Sequence, residues 1–491
     1  MNTRKSAASA DLSFTHFPVV REVLADFDTP LSAYRKLCGD RAGGFLLESV
    51  QGGERWGRYS IVGLPARHEI RFHNGTWREY VNGELSVEKS CDNPLAAVRE
   101  FAARYRVQEL PGLPRFTGGL VGYFGAELVR YLEPRLAKHR LCSTVDDVRL
   151  LLAEDLVIFD NLRGSAFLVT HARTDEPNAE ASANARLDAI AAQLHAPLQN
   201  EAAESFDVGD FISTFGEKSF RESVRRIREY IRDGDAMQVV LSQCMEAPFA
   251  GRPLDVYRAL RMLNPSPYLY FLDFGDMQVA GSSPEALVRV EDNELTVRPI
   301  AGTRKRGANR KEDERLEREL HADPKERAEH LMLIDLGRND AGRVSEIGSV
   351  KVTEQMITER YSHVMHLVSN VTGKLREDLD ALDALAACFP AGTLSGAPKL
   401  RALEIIDELE PVPRGVYSGA IGYLGWQGNL DTAIAIRTAV IRDGVLQVQA
   451  GAGVVHDSDP LREWEETLHK SRALLKAVEM VGRGMKLDGD T

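Results

Sequence analysis

The sequence predicts an α+β protein in which large antiparallel β-sheets are covered by helices. Three observations predict it. Tight polar turns sit between apolar runs at Val290-Glu291-Asp292-Asn293-Glu294 and Ile441-Arg442-Asp443-Gly444-Val445; connections this short join antiparallel strands, whereas parallel ones need a long crossover. In the second half, β-rich runs (279–299, 415–424, 431–451) alternate with helical patterns (311–336, 378–387, 398–409, 461–481). No solenoid period or low-complexity tract is present.

The elements follow in chain order. Residues 1–17 are small and polar, lack periodicity, and are expected to be unordered. From 44 to 72, glycine turns separate three strand-like runs, GGFLLESV, RYSIVGLPA and HEIRFHNG. A helix is expected over 93–106, with Pro94 early and Leu95, Val98, Phe101 and Ala102 on one stripe. Glycine-dense GGLVGYFG (118–125) suits strands that approach closely. DVRLLLAEDLVIFDN and GSAFLVTHA (147–172) read as a strand pair, and Ala-rich 179–195 as a helix. The polar, acidic, aperiodic 196–212 segment is the best linker. A helix over Lys218–Asp233 then turns through Asp233-Gly234-Asp235 into the strand QVVLSQ (238–243). The expected division is therefore 1–17, an N-terminal region 18–195, a linker 196–212 and a C-terminal domain 213–485.

At 491 residues, 43% hydrophobic and 27% charged, the chain suits a globular protein of about two to four domains, or one large fold with a satellite. A net charge of −12 argues against nucleic acid or an anionic membrane as partner. An anionic substrate would then need a local cationic pocket, for which Arg304, Lys399, Arg437 and Lys470 are available. The five cysteines have no CxxC spacing and read as reduced thiols, neither disulfides nor a zinc site. The N-terminus has no apolar signal-like core, and no apolar run approaches about 18 residues, so a cytoplasmic location is expected.

Two segments carry glutamates three apart: Glu326 and Glu329 in KERAEHLMLIDLGRND (325–340), Glu463 and Glu466 in LREWEETLHKSR (461–472). On a helix such residues share a face. Two such faces brought together make a four-carboxylate basin whose repulsion a cation relieves, and oxygen-only ligands point to magnesium. Taken alone, either pair reads as a solvated helix face.

The surrounding motifs change that weighting. QVVLSQ, NPSPYLYFL (264–272), GSSPEAL (281–287), RPIAGTR (298–304), YSHVMHLVSNV (361–371), PAGTLSGAPK (390–399), YSGAIGY (417–423), AIRT (435–438), QAGAGVV (449–455) and EWEETLHK (463–470) occur in order with the first acidic segment. Together they resemble the chorismate-utilising enzymes over nearly the whole chain, most densely from Gln238 to Lys470. The fold this resemblance implies is two subdomains around an extended antiparallel sandwich, with a chorismate cleft built mainly by the C-terminal half. The activity it implies is addition of ammonia to chorismate, then loss of pyruvate to give anthranilate through an amino-deoxyisochorismate intermediate, the first step of tryptophan synthesis.

The resemblance also implies roles. Glu329 and Glu466 become direct magnesium ligands, with Glu326 and Glu463 acting through water. Glu285 becomes the acid that protonates the leaving hydroxyl, where the residues alone suggest a turn carboxylate. His366, by itself a core histidine in a run compatible with helix or strand, is placed at the ring carboxylate, where it favours pyruvate elimination. Gly302, Thr303, Thr393, Tyr417, Arg437, Gly451, Ala452 and Gly453 become substrate contacts, the glycines by close backbone approach and Arg437 by a bidentate grip. Lys470 either neutralises Glu466 one turn away or reaches the substrate.

Water-adding relatives carry a lysine base where this chain has Gln238, and the aminodeoxychorismate branch carries a lysine where it has Ala301. Both positions favour ammonia addition followed by elimination. The alternatives are that branch's large subunit, and a non-catalytic chorismate- or tryptophan-binding protein; the latter is disfavoured because Glu285, Glu329, His366 and Glu466 are all present. None of the five cysteines lies on a glutaminase elbow. The resemblance therefore implies a separate glutamine amidotransferase subunit, in a heterotetramer of two large and two small chains. It further implies feedback inhibition by L-tryptophan at Ser49, Pro267, Tyr268 and Leu269, which assigns 18–195 a regulatory part and 213–485 the catalysis.

Overall fold

In the computed structural model, residues 14–49, 57–137, 143–198, 203–361 and 364–486 are described. Cys142, residues 1–13 of the N-terminal segment and 199–202 of the linker lie outside them. The first strand already starts at His16, two residues inside the segment expected to be unordered, because it pairs along its length with Ser165–Arg173.

Two twelve-stranded sheets form the framework, and every pairing between their strands is antiparallel. In spatial order the first sheet runs His16–Leu24, Ser165–Arg173, Leu156–Asp160, Tyr59–Gly63, Phe45–Glu48, Tyr268–Asp273, Met277–Ser283, Thr438–Arg442, Val445–Val454, Gln238–Pro248, Ile212–Ser213. Gly396–Ala397 also pairs with Gln238–Pro248. The second runs Ile300–Lys305, Val364–Lys374, Glu294–Val297, Ala286–Glu291, Leu430–Ile434, Ala420–Gly425, Gly119–Phe124, Val148–Ala153, His68–His73, Thr76–Val81, Glu84–Ser90, with Lys351–Arg360 beside Val364–Lys374. The expected hairpins at 290–294 and 441–445 are both present.

The sheets face each other across a core that includes Tyr123 and Ile421 from one side and Ile158, Tyr270 and Val279 from the other. The outer face of the first sheet is covered by helices Pro30–Leu37, Pro253–Leu263 and Pro460–Gly482, through Tyr34, Tyr257 and Leu474. Helices Pro94–Ala102, Pro324–Gly342 and Ala381–Cys388 cover the second through Leu95, Ile334 and Leu385. Each fully buried Leu or Phe contributes about 1.5–3 kcal/mol, so this layering is the main source of cohesion. Residues 16–173 supply five strands of each sheet and residues 212–454 the other seven. They join where Phe45–Glu48 pairs with Tyr268–Asp273 and where Gly119–Phe124 pairs with Ala420–Gly425.

The chain crosses from one sheet to the other at corners. The run expected as one strand over 147–161 breaks at Glu154-Asp155: Val148–Ala153 belongs to the second sheet and Leu156–Asp160 to the first. Both pieces are buried on both faces, so apolar content alone did not reveal the break. The same happens at Pro284-Glu285 and at Ala435-Ile436-Arg437. These two corners lie side by side: the Ser282 N–H donates to the Arg437 carbonyl at 3.1 Å, and the Ile434 N–H to the Glu285 carbonyl at 3.0 Å.

The helix expected over 311–336 is two, Arg310–Ala322 and Pro324–Gly342. Asp323 ends the first and caps the second, accepting from the Lys325 and Glu326 N–H groups at 3.0 and 3.3 Å, with Pro324 in the first turn. His366 lies on a strand, resolving its ambiguous run.

Candidate active site

A cavity of about 230 Å³ opens at the two adjacent corners. Glu285 and Arg437 enter it from the corners, Gln238 and Gly451 from neighbouring strands of the first sheet, and Thr303 and His366 from paired positions of the second. Thr393, Tyr417, Glu329 and Lys470 complete the polar lining. Residues spread over more than 230 positions thus converge.

Burial pushes the Glu285 carboxyl up to about 8; a hydrogen bond from Thr393 Oγ1 at 3.2 Å and the charges of Arg437 and Lys470 pull against it. The group is therefore a protonated acid at neutral pH. Burial holds His366 below the ordinary histidine value, opposed by its bond to the Gly302 carbonyl and assisted by Arg437. Its Nδ1 lies 3.1 Å from that carbonyl oxygen, which can only accept, so Nδ1 carries the proton and Nε2 keeps the lone pair. Gly302 provides this acceptor from a bulge in its strand at φ +65°, where a side chain is strained. Arg437 also has positive φ, +50°, and its guanidinium has no ion-pair partner among the described residues. Non-glycine residues held this way carry about 1–3 kcal/mol of strain and concentrate at functional sites.

The glycine run 451–453 acts through alternation along its strand. A Cβ at Gly451 would lie 2.9 Å from the Tyr417 hydroxyl, and one at Gly453 2.5 Å from Gln238 Nε2. Both glycines therefore leave room for polar side chains, while Ala452 is fully buried and does not line the cavity. Lys470 donates to the Gly451 carbonyl at 2.9 Å and pairs with Glu466 at 2.8 Å, so it neutralises its helix neighbour while lining the cavity. Of the other expected cations, Lys399 is paired with Asp340 at 2.9 Å, and Arg304 with Asp323 and Glu326 at 2.8 and 2.9 Å. Only Arg437 and Lys470 of the four line the site.

The two glutamate pairs lie on helices Pro324–Gly342 and Pro460–Gly482, with Glu326 and Glu463 in the first turns and Glu329 and Glu466 one turn further on. Glu329 is pushed up by burial and by the carboxylates of Glu326 and Glu466, and Glu463 by burial and Glu466. Carboxylates of the two helices are thus within electrostatic reach of one another, with Glu329 on the cavity, which suits a hard divalent cation held by oxygen. The four carboxylates do not converge: Glu326 turns to Arg304 and Glu466 to Lys470, and among the described residues no three potential ligands meet at a point. The Arg304 and Lys470 charges on Glu326 and Glu466 lower the repulsion the basin would otherwise carry.

A second cavity, of about 700 Å³, lies between the sheets where the two segments join. Ser49, Pro267, Tyr268 and Leu269 all line it, although Ser49 is more than 200 positions from the others. The Tyr268 hydroxyl donates to Asp431 Oδ1 at 2.9 Å. The sequence reading missed Arg115 and Asp431 here, and Val240, Leu333 and Gln449 in the first cavity. These lie in or beside recognisable runs, but nothing in their local spacing says which way the side chain faces.

A protonated buried carboxyl, a neutral histidine and an unpaired arginine around a small cavity define an enzyme that acts on an anionic small molecule by acid–base chemistry. Residues 50–476 match the chorismate binding enzymes, and the chain belongs to that family. It is 54% identical to anthranilate synthase component 1 of Pseudomonas aeruginosa, covering 99% of this chain and 100% of that protein. Against the component 1 protein of Neisseria meningitidis serogroup B it is 50% identical, over 97% and 98%. The crystal structure of anthranilate synthase component I from Streptococcus pneumoniae superposes with a TM-score of 0.76 at 37% identity, covering 92% and 98%. The menaquinone-specific isochorismate synthase of Escherichia coli, at 20% identity and a TM-score of 0.70 over 95% and 96%, shares the fold.

Proposed function

We infer that this chain is an anthranilate synthase large subunit, converting chorismate and ammonia to anthranilate, pyruvate and water. The observation that carries the reading is Glu285, an acid kept protonated beside the unpaired Arg437 and the neutral His366.

Arg437 grips a substrate carboxylate, and Gly451 leaves room for the Tyr417 hydroxyl on the same cavity wall. Glu285 gives its proton to the ring hydroxyl, which leaves as water while ammonia forms the C–N bond beside the ring carboxylate; the ring-bound ammonium so formed gives up one proton to water. Ammonia attacks through its own lone pair, so Gln238, which has no basic group, serves as a polar wall. In the second half-reaction the ring loses a proton to a base, the ether C–O bond breaks, and the three-carbon fragment leaves as an enolate that takes up a proton on carbon to become pyruvate. His366 Nε2 has the lone pair this step uses. Magnesium supplies Lewis-acid polarisation of the ring carboxylate when bound, with Glu329 and Glu466 as the residues to hold it and Glu326 and Glu463 acting through water.

Ammonia comes from a separate glutamine amidotransferase subunit, in a heterotetramer of two large and two small chains. L-tryptophan inhibits by binding in the second cavity at Ser49 and Pro267–Leu269. The 18–195 segment contributes Ser49 to the inhibitor site and 213–485 supplies the catalysis, in a cytoplasmic enzyme. The test mixes the purified chain with chorismate, magnesium and either ammonium or glutamine at alkaline pH and follows anthranilate fluorescence. Ammonium should give product and glutamine none until the second subunit is added. No product from ammonium refutes the activity; product from glutamine with the single chain refutes the partner.

A further inference from the structure

We propose that the buried Arg414–Glu410 ion pair is the positioning device of the active site, holding its wall at the distance the acid Glu285 requires; this rests on the function just given. Neither side chain lines the site cavity, yet their bonds end on residues that do. Both side chains are nearly inaccessible, at 7% and 3% exposure. The guanidinium makes two bonds to the carboxylate, Nε to Oε2 at 2.9 Å and Nη2 to Oε1 at 2.7 Å.

The remaining donors reach outward. Nη1 donates to the Leu394 carbonyl at 2.6 Å, and Nη2 to the Val240 carbonyl at 2.9 Å. Glu410 Oε1 accepts from the Ser242 N–H and hydroxyl, both at 2.8 Å, and Gln449 Nε2 donates to that same hydroxyl at 2.8 Å. The guanidinium also lies 5.6 Å from the Tyr417 ring centre. Val240, Leu394, Tyr417 and Gln449 all line the site. The backbone N–H of Arg414 is itself fixed by Glu127 Oε1 at 2.9 Å.

The most consequential bond is the one to Leu394. It pins the short turn Gly392–Ser395, and the neighbouring Thr393 is the hydrogen-bond donor to Glu285. A carbonyl held from behind sets where the Thr393 hydroxyl points. Releasing it removes a bond that favours the ionised form of Glu285. The other charged or titratable groups around Glu285 are Arg437, Lys470, His366, Glu329 and Tyr417 in the cavity, and Arg298, Asp340 and Cys388 on its far side.

The experiment separates positioning from mere cohesion. A buried ion pair replaced as a unit by apolar side chains is often neutral for stability, whereas removing one partner strands a buried charge. Arg414→Met should therefore lower Tm and kcat together. Glu410→Met with Arg414→Met should restore Tm to near the parent while kcat for anthranilate from ammonium stays at least 10-fold down, with chorismate KM changed less than 3-fold and the alkaline limb of kcat moved to higher pH. Recovery of kcat together with Tm overturns the proposal. Arg414→Lys keeps the charge but not the fork of donors, and settles the matter should the methionine variants not fold: a kcat within 2-fold of the parent overturns the proposal, and a loss of 10-fold or more at unchanged chorismate KM supports it. Anthranilate formation by the parent is the control. A silent parent sinks the functional reading, while an active parent with unaffected variants sinks only the positioning.

Discussion

Replacing Glu285 with Gln should make the protein more stable and inactive at once. The folded carboxyl is raised from 4.5 to about 8 by burial. Between those pH values the folded chain keeps a proton that the unfolded chain has released. The sign is therefore opposite to that of an ion-paired carboxylate: each pH unit in this window lowers stability by about 1.4 kcal/mol, and the penalty is constant above it. At pH 7.5 the accumulated penalty is about 4 kcal/mol, and at pH 5 it is under about 1 kcal/mol. Glutamine has the shape of the protonated acid and never ionises, so it removes the penalty while its amide oxygen can still accept from Thr393. Urea denaturation of both proteins at pH 5 and 7.5, beside anthranilate fluorescence, measures each effect. The variant should gain several kcal/mol over the parent at pH 7.5 and little at pH 5, with turnover lost at both. A stability difference that does not change with pH refutes the protonated acid, and turnover within a few-fold of the parent refutes its role.

Three further outcomes follow from the same geometry. Glu329→Gln should abolish turnover with the fold intact by circular dichroism, and the parent treated with EDTA should fall silent until magnesium is restored; activity within a few-fold after EDTA contradicts the metal reading. His366→Met should slow pyruvate loss more than ammonia addition, so that an amino-deoxy intermediate accumulates by chromatography; complete loss of chorismate consumption contradicts that division of labour. Ser49→Phe should fill the second cavity and relieve tryptophan inhibition, with activity in the absence of tryptophan near normal. Because coupling between such sites is about 1–3 kcal/mol, even partial relief shifts the inhibition curve measurably, and inhibition as strong as the parent's contradicts the assignment.

Local chemistry by itself determined a good deal of this protein. The hairpin turns at 290–294 and 441–445, the helix expected over Lys218–Asp233 and found over Glu217–Arg232, and the glutamate faces of two helices depend on residues a few positions apart, and the order of the motifs carried the family. Helix ends were legible in principle too, since Asp323-Pro324 is a capping signal inside what otherwise reads as one long helix. The tertiary structure decided which strands change sheet. The breaks at 154–155, 284–285 and 435–437 fall within or between apolar runs whose pieces are buried alike in either sheet, so burial pattern could not separate them. Those corners put Glu285 beside Arg437, and the protonation of Glu285 follows from the desolvation found there, a property of the assembled cavity and not of GSSPEAL. The sandwich also brought Ser49 to Tyr268 and hid Lys399 against Asp340, because pairing and burial are settled between segments far apart in the chain.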